Sequence, residues 1–316
     1  MWGCSASEAP PPAVPLTVPT EVDLLPAVVP PAIAPDSSPA ARFMYRTDAE
    51  VRGAVNAGAI TWLILEGPGI TDAAMLEFGR FTAVNRLTLR STNVTDAGLM
   101  HLQKLGKLGK LKFSDNPGLT EAGMGFIADV RSLYWLDFES QVLTVPGLAR
   151  LGSMPGLRRL HLAYRDGVAP VLPNLEQFQG LERLYIQSPL MTDAHLKALE
   201  GPSRVFVLDL SGSPIDGSGL KFLSGFTLMR ELYLRHTRLG DAGLAYLPEL
   251  PFLQVLDLHG TPLGDAGLEG LDGCRRFQNV YLGDTQVSAQ AEARFQKRCP
   301  QMKIHRSGGS PRGEVP

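Results

Sequence analysis

A 24-residue period governs this chain of 316 residues. Aligning Ile60, Val84, Leu108, Leu133, Leu157, Leu181, Val205, Met229, Leu253 and Phe277 leaves nine spacings, eight of 24 residues and one of 25. The extra residue falls in the turn Asn116-Pro117-Gly118, where an insertion costs little. Each unit reads approximately L-x-x-L-x-L-x-x-T-x-L-T-D-A-G-L-x-x-L. Its fourth position is Leu63, Leu87, Leu111, Leu136, Leu160, Leu184, Leu208, Leu232, Leu256 and Val280, and its sixth is apolar from Leu65 to Leu282. A unit this short cannot bury its own apolar face, so the units must stack and share one core.

Within a unit, apolar fourth and sixth positions alternating with polar ones describe a short strand buried on one face. A turn follows, often with a hydroxyl: Thr92, Ser213, Thr237, Thr261 or Thr285. These hydroxyls are expected to bond backbone groups between coils. Next comes a helix start. Thr71, Thr95, Thr120, Thr144 and Thr192, with Asp216 and Ser288 in the same column, are residues that cap orphan N–H groups. Asp72, Asp96, Glu121 and Asp193 just after the cap suit the helix dipole. Leu99, Leu102 and Leu105 then face inward at helical spacing, as do Leu244, Leu247 and Leu250.

This pattern resembles the leucine-rich repeat family, in particular bacterial repeats with a T-D-A-G-L helix start, similar to the repeats of F-box substrate receptors. The resemblance spans about residues 60–304. It implies an α/β fold: a right-handed solenoid, or horseshoe, with parallel strands on the concave face and short helices on the convex face. With strands ~4.8 Å apart, ten of them make a sheet roughly 43 Å long. The repeat region is expected over 44–305, ten repeats from residue 60 onward. A capping helix over about 47–59 is expected, with Thr47 as N-cap and Val51 and Val55 turned inward. At the far end, Ile304 lies 24 residues after Val280, where an eleventh repeat strand would begin. Val145-Pro146, and then Arg165, Val168, Pro170 and Pro173, break the helix pattern, so the convex side is expected to be irregular near 164–178.

Ten of the 25 prolines lie in the first 40 residues. Proline fixes φ and lacks a backbone donor, so residues 1–43 read as a disordered, extended linker. Residues 306–316 read as a disordered tail. Met1-Trp2-Gly3-Cys4-Ser5 resembles the end of a bacterial lipoprotein signal, without the positive and apolar regions that precede one. If the true start lies upstream, a lipid on Cys4 would tether the chain to a membrane, and the protein would be at the cell envelope or secreted. Otherwise it is expected in the cytoplasm. No apolar run approaches a transmembrane span. Cys274 fills a core column, and Cys299 in the next coil is close enough in sequence phase for a disulfide in an oxidising compartment.

The chemistry-bearing motifs are missing from the sequence. The six histidines show no metal spacing, and neither G-x-S-x-G nor a phosphate-binding loop occurs. The reading is therefore not an enzyme, with no cofactor and no metal. The net charge of -2 argues against a dedicated nucleic-acid binder.

The informative residues are those that alternate away from the core, in the third, fifth and seventh positions. Trp62 and Trp135 fall there, as do Tyr185, Tyr233 and Tyr281, and all five read as exposed. Exposed aromatics are the usual anchors of protein interfaces. Arg86, Arg90, Lys110, Lys112, Arg159 and Arg183 make the first half basic, interrupted by Asp137 and Glu139. Asp209, Glu231 and Asp257 make the second half more acidic, and His161 and Arg235 lie on the same face. The expected function is protein–protein recognition by a monomer that binds its partner on this face. The alternatives are a substrate-selecting adaptor of ubiquitin machinery, and a carbohydrate or small-ligand binder using the aromatic row.

Overall fold

The computed structural model describes residues 42–139, 143–165, 167–273 and 278–306. The proline-rich segment up to residue 41, Cys4, Cys274 and the tail from 307 lie outside them, and with them most of the linker and tail and the Cys274–Cys299 pairing; Arg306, expected in the tail, donates to the Val287 carbonyl and pairs with Glu292 (2.6 Å).

The alternation of apolar and polar residues does produce strands. They are β1 (Arg42–Thr47), β2 (Trp62–Gly69), β3 (Arg86–Arg90), β4 (Lys110–Ser114), β5 (Trp135–Glu139) and β6 (Arg159–Ala163). Then follow β7 (Arg183–Gln187), β8 (Val207–Asp209), β9 (Glu231–Tyr233), β10 (Val255–Asp257), β11 (Asn279–Tyr281) and β12 (Lys303–His305). All pair in parallel, in sequence order, in one open sheet. From β2 to β11 every strand meets its neighbour one repeat on, so that Leu63, Leu87, Leu111 and Leu136 are successive partners. The fourth and sixth columns are at most 1% exposed throughout and form the spine of the core.

Two strands lie outside the ten repeats. β12 is the expected eleventh repeat strand, with Ile304 beside Val280. β1 was not expected. Arg42 pairs with Trp62 only 20 residues later, and the register shifts between Tyr45 and Thr47, so the strand is out of phase with the repeat. Arg42 and Phe43 are therefore part of the sheet. The capping helix is also shorter than the reading of 47–59. α1 covers Asp48–Arg52, with Thr47 and Glu50 in a capping box, and a 3-10 turn covers Ala57–Ala59. Gly53 closes α1, and Asn56 at φ 56° turns the chain. Val51 is buried as expected, but Val55 is 77% exposed.

Among the described residues the eighth column is left-handed in seven of the ten repeats: Gly67, Ser91, Asp115, Gly212, His236, Gly260 and Asp284 have φ between 50° and 94°, while Tyr164 and Ser188 in the same column do not. Glycine, asparagine, aspartate and histidine tolerate this conformation best. The N–H of this residue donates across to the next coil, as from Ser91 to the Ser114 carbonyl (2.8 Å) and from His236 to the His259 carbonyl (2.8 Å). His236 is thus a turn residue. Among the turn hydroxyls Thr92 does reach the next coil, donating to Asn116 Oδ1 (2.7 Å), but three others do not. Thr237, Thr261 and Thr285 donate to the carbonyl three residues earlier in their own coil, not between coils.

On the other side of the coil the T-D-A-G-L signature explains itself. In α2 (Asp72–Met75) and α3 (Asp96–Leu99) the preceding threonine caps its own helix, accepting from the N–H two residues on. It also ties to the unit before. Thr95 donates its N–H (2.8 Å) and its hydroxyl (2.7 Å) to the two oxygens of Asp72, and Thr120 does the same to Asp96 at 2.9 and 2.5 Å. Asp48 holds Thr71, and Asp265 holds Ser288, in the same way. The Asp265 carboxyl lies below its usual range because the Ser288 backbone N–H and hydroxyl both donate to it. The glycine follows from this geometry: a Cβ on Gly98 would strike the Asp72 carboxylate, and one on Gly123 would strike that of Asp96. The acids therefore do more than complement a dipole; they stitch neighbouring repeats. Asp96→Ala should cost about 1–2 kcal/mol, because it removes two charge-assisted bonds from a partly exposed site. Urea unfolding of the variant checks this, and Asp96→Asn, which still accepts from the Thr120 N–H, should lose less.

The remaining helices are α4 (Gly123–Ala128), α5 (Val145–Gly152), α6 (Asp265–Glu269) and α7 (Ala289–Arg298), with short 3-10 turns in the other units. Pro146 sits in the first turn of α5, where no N–H is missed. The following unit is irregular as expected, with one 3-10 turn at Leu175–Gln177. No helix among the described residues is long and apolar enough to cross a membrane.

Candidate functional site

The strand face away from the core carries three rows of side chains, one residue per strand. The third-position row runs Arg42, Trp62, Arg86, Lys110, Trp135, Arg159, Arg183, Val207, Glu231, Val255, Asn279 and Lys303. The fifth-position row includes Thr88, Lys112, Asp137, His161, Tyr185, Asp209, Tyr233, Asp257, Tyr281 and His305. Arg90 and Glu66 face each other two residues further along β3 and β2, and Arg235 follows β9 in the same column. All the residues expected on this face are there.

Their exposure is not as expected. Trp135 is 4% exposed, Tyr185 5%, Tyr233 3% and Tyr281 9%. The reason is the strand spacing: a ring standing on one strand is covered by side chains on both neighbours. Trp135 is clamped between the Lys110 ammonium (4.7 Å from the ring centre) and the Arg159 guanidinium (5.0 Å). Trp62, half-buried, sits between Arg42 and Arg86, each 4.5 Å from its ring, and donates its indole N–H to Thr88. Each cation of this kind contributes about 0.5–2 kcal/mol, the more the less solvated it is. Tyr185, Val207 and Tyr233 pack together as a small apolar patch against Phe206 and Val255. Tyr281 stacks on His305.

The fifth-position row is a chain of contacts. Lys112 bridges Asp137 (3.3 Å) and Glu139 (3.1 Å), and Asp137 bonds the Nδ1 of His161 at 2.8 Å. The His161 ring lies edge-on to Tyr185. Burial pushes the Tyr185 hydroxyl above its ordinary pKa, against the pull of Arg183 and Arg159. The Trp135 Nε1 and the His161 Nε2 are buried without a hydrogen-bond partner. Asp209 and Asp257 act structurally, each accepting an N–H two residues on, where the short strands end. Arg90 pairs with Glu66 (3.4 Å) and Arg235 with Asp257 (3.3 Å). Among the described residues no group of three or more His, Cys, Asp or Glu is placed to hold a metal.

A family model described as "Leucine Rich repeat" matches residues 249–271. No curated protein matches the sequence. Among solved structures, an internalin (inlF) from Listeria monocytogenes aligns with a TM-score of 0.50 at 17% identity, over 78% of this chain and 74% of that one. The TLR13–ssRNA13 complex aligns with a TM-score of 0.50 at 15% identity, over 80% of this chain and 36% of that one. The chain has the leucine-rich repeat fold. At these identities the structural likeness speaks for the fold alone, and the leucine-rich repeat architecture places the strand face on the concave side and the helices on the convex side.

Two residues of the leucine-rich repeat face escaped the sequence reading. Arg42 covers Trp62 but belongs to the strand that is out of phase. Phe206 receives Arg183 at 5.3 Å and Arg230 at 5.9 Å, but stands in the second column, outside the alternation. A search for basic residues flanking every aromatic at one-repeat offsets would have found Phe206, because Arg183 and Arg230 lie 23 and 24 residues from it.

Proposed function

We propose that the protein is a non-enzymatic recognition module that binds a protein partner on the concave strand face. The observation that carries this reading is the third-position row, in which Arg42, Arg86, Lys110 and Arg159 flank Trp62 and Trp135 on both sides. Rigid aromatic platforms rimmed by cations are the composition of interface hot spots. Arg86, Arg159 and Arg183 present the partner with charge, while Arg90, Lys112 and Arg235 are already engaged by carboxylates of the chain itself. His161, Tyr185, Tyr233 and Tyr281 form the packed floor. The carbohydrate reading is less favoured, because both faces of each tryptophan are occupied and no open ring remains for a sugar to stack on. The ubiquitin-adaptor reading depends on a segment outside the described residues.

For a partner captured on the full chain, Trp62→Ala combined with Arg86→Ala should weaken binding by about 2 kcal/mol or more, roughly 30-fold. The exposed helix-side change Gln103→Ala should leave it unaltered. Binding that survives the concave-face pair, or is lost with Gln103→Ala, would sink the assignment.

A further inference from the structure

We propose that the concave face reads a phosphorylated side chain of the protein partner, its phosphate seated on Arg159 and Arg183 beside Trp135. The proposal rests on the concave-face reading and adds the chemistry of the group that is read.

Arg159 on β6 stands in register beside Arg183 on β7. Like charges directly opposite each other destabilise neighbouring strands. The two side chains lean apart. The Arg159 guanidinium lies 5.0 Å from the Trp135 ring centre on β5, and that of Arg183 lies 5.3 Å from the ring of Phe206, just before β8. Arg183 also donates to the Tyr185 hydroxyl. Both arginines are half-buried, and among the described residues neither makes an ion pair. The carboxylates of this stretch are committed elsewhere. Asp137 holds Lys112 and His161, Glu182 holds Arg158, Asp209 accepts the Ser211 N–H, and Glu231 accepts from the Tyr233 hydroxyl at 2.6 Å. Two adjacent positive charges are thus left without a counter-charge from the chain itself.

A buried donor lies at the same place. Trp135 is 4% exposed, and its Nε1 has no hydrogen-bond partner. An indole N–H only donates, so nothing but an acceptor satisfies it. It belongs to the ring that Arg159 covers, one strand from Arg159 and two from Arg183. An anion that draws the Arg159 guanidinium off the ring gives this N–H its acceptor. The donor set then selects the anion. Two guanidiniums and one N–H offer three donor groups and two positive charges. A carboxylate has two oxygens and a single charge, and leaves one donor group and one cation unmatched. A phosphate monoester has three terminal oxygens and a charge of about −1.5 to −2 at neutral pH. It also takes arginine through two parallel N–H bonds. With strands ~4.8 Å apart, two long arginine side chains can swing onto one such group. Arginine clusters are a general means of reading a phosphorylated residue.

The test uses the full chain and follows the indole N–H resonances of its tryptophans, assigned with Trp62→Phe and Trp135→Phe. The probe is a short glycine peptide with a central phosphoserine, titrated at low salt beside its serine and glutamate versions. The phosphoserine peptide should shift the Trp135 resonance and bind about tenfold more tightly than the glutamate peptide, and the serine peptide should not bind. Trp62, whose N–H is already given to Thr88, should not respond. Arg159→Gln with Arg183→Gln should cost the phosphoserine peptide about tenfold or more, with an unchanged far-UV spectrum showing that the solenoid is intact. Equal affinity for glutamate and phosphoserine, an equal response of both tryptophans, or binding that survives the loss of both arginines overturns the proposal. If the phosphoserine peptide does not bind while capture of a partner still depends on Trp62 and Arg86, the phosphate falls and the concave-face reading stands. A single-stranded oligonucleotide of equal charge that binds more tightly through the same two arginines makes the occupant a nucleic acid, and the proposal falls.

Discussion

Phe138→Ala should destabilise the protein by about 3–5 kcal/mol, the range for truncating a fully buried phenylalanine. Phe138 occupies the sixth column of β5, is 1% exposed, and stacks on Phe113 of the preceding unit with ring centres 5.4 Å apart and planes 12° from parallel. Its other neighbour in that column, Leu162, is also fully buried. In a stacked array each unit is stabilised by the two it touches, so a cavity at Phe138 weakens two interfaces at once. Phe113→Leu, which keeps most of the volume, should cost under ~1.5 kcal/mol. Urea unfolding followed by far-UV circular dichroism compares the two. A loss below about 1 kcal/mol for Phe138→Ala would mean that neighbouring coils collapse into the space, contrary to a rigid core.

Gly225→Ala should cost about 3 kcal/mol, at the upper end for overpacking, because what it strikes is backbone. A Cβ on Gly225 would overlap the Gly201 carbonyl in the coil before it and lie 3.3 Å from the Pro202 nitrogen. No side chain can rotate out of the way; one coil must move relative to the next. Gly79→Ala is the control, since nothing lies within 4 Å of its Cβ position, and a change of no more than about 0.5 kcal/mol is expected there. Equal thermal midpoints for the two variants would show that the junction near Gly201 yields easily.

The leucine columns announced the fold because burial in a stacked array is decided one repeat at a time. Leu63 and Leu160 sit in the same environment, so the period appears directly in the sequence and fixes strand order and register. The depth of the other face is decided differently. Alternation tells which way Trp135 points, but its coverage depends on Lys110 and Arg159, residues 25 and 24 positions away whose significance appears only when the strands lie side by side. The same holds for Asp72 and Thr95: each has a local role at a helix start, and the bond between them exists only across the gap between coils. The eighth column was illegible for another reason. Glycine, serine, aspartate and histidine share no hydropathy there, only tolerance of a positive φ. β1 was hidden because it does not keep the 24-residue phase.

The parallel register of β3 to β7 gives the repeat number a metric meaning. Each coil adds one strand spacing to the third-position row, so duplicating the unit that carries Trp135 would move Arg86 and Arg183 apart by about 4.8 Å without touching either of them. Deleting that unit would bring them closer by the same step. Recombination between coils that share the same apolar columns, which leaves the hydrophobic spine continuous, therefore changes the length of the strand face in fixed increments, much as sliding a vernier by one division.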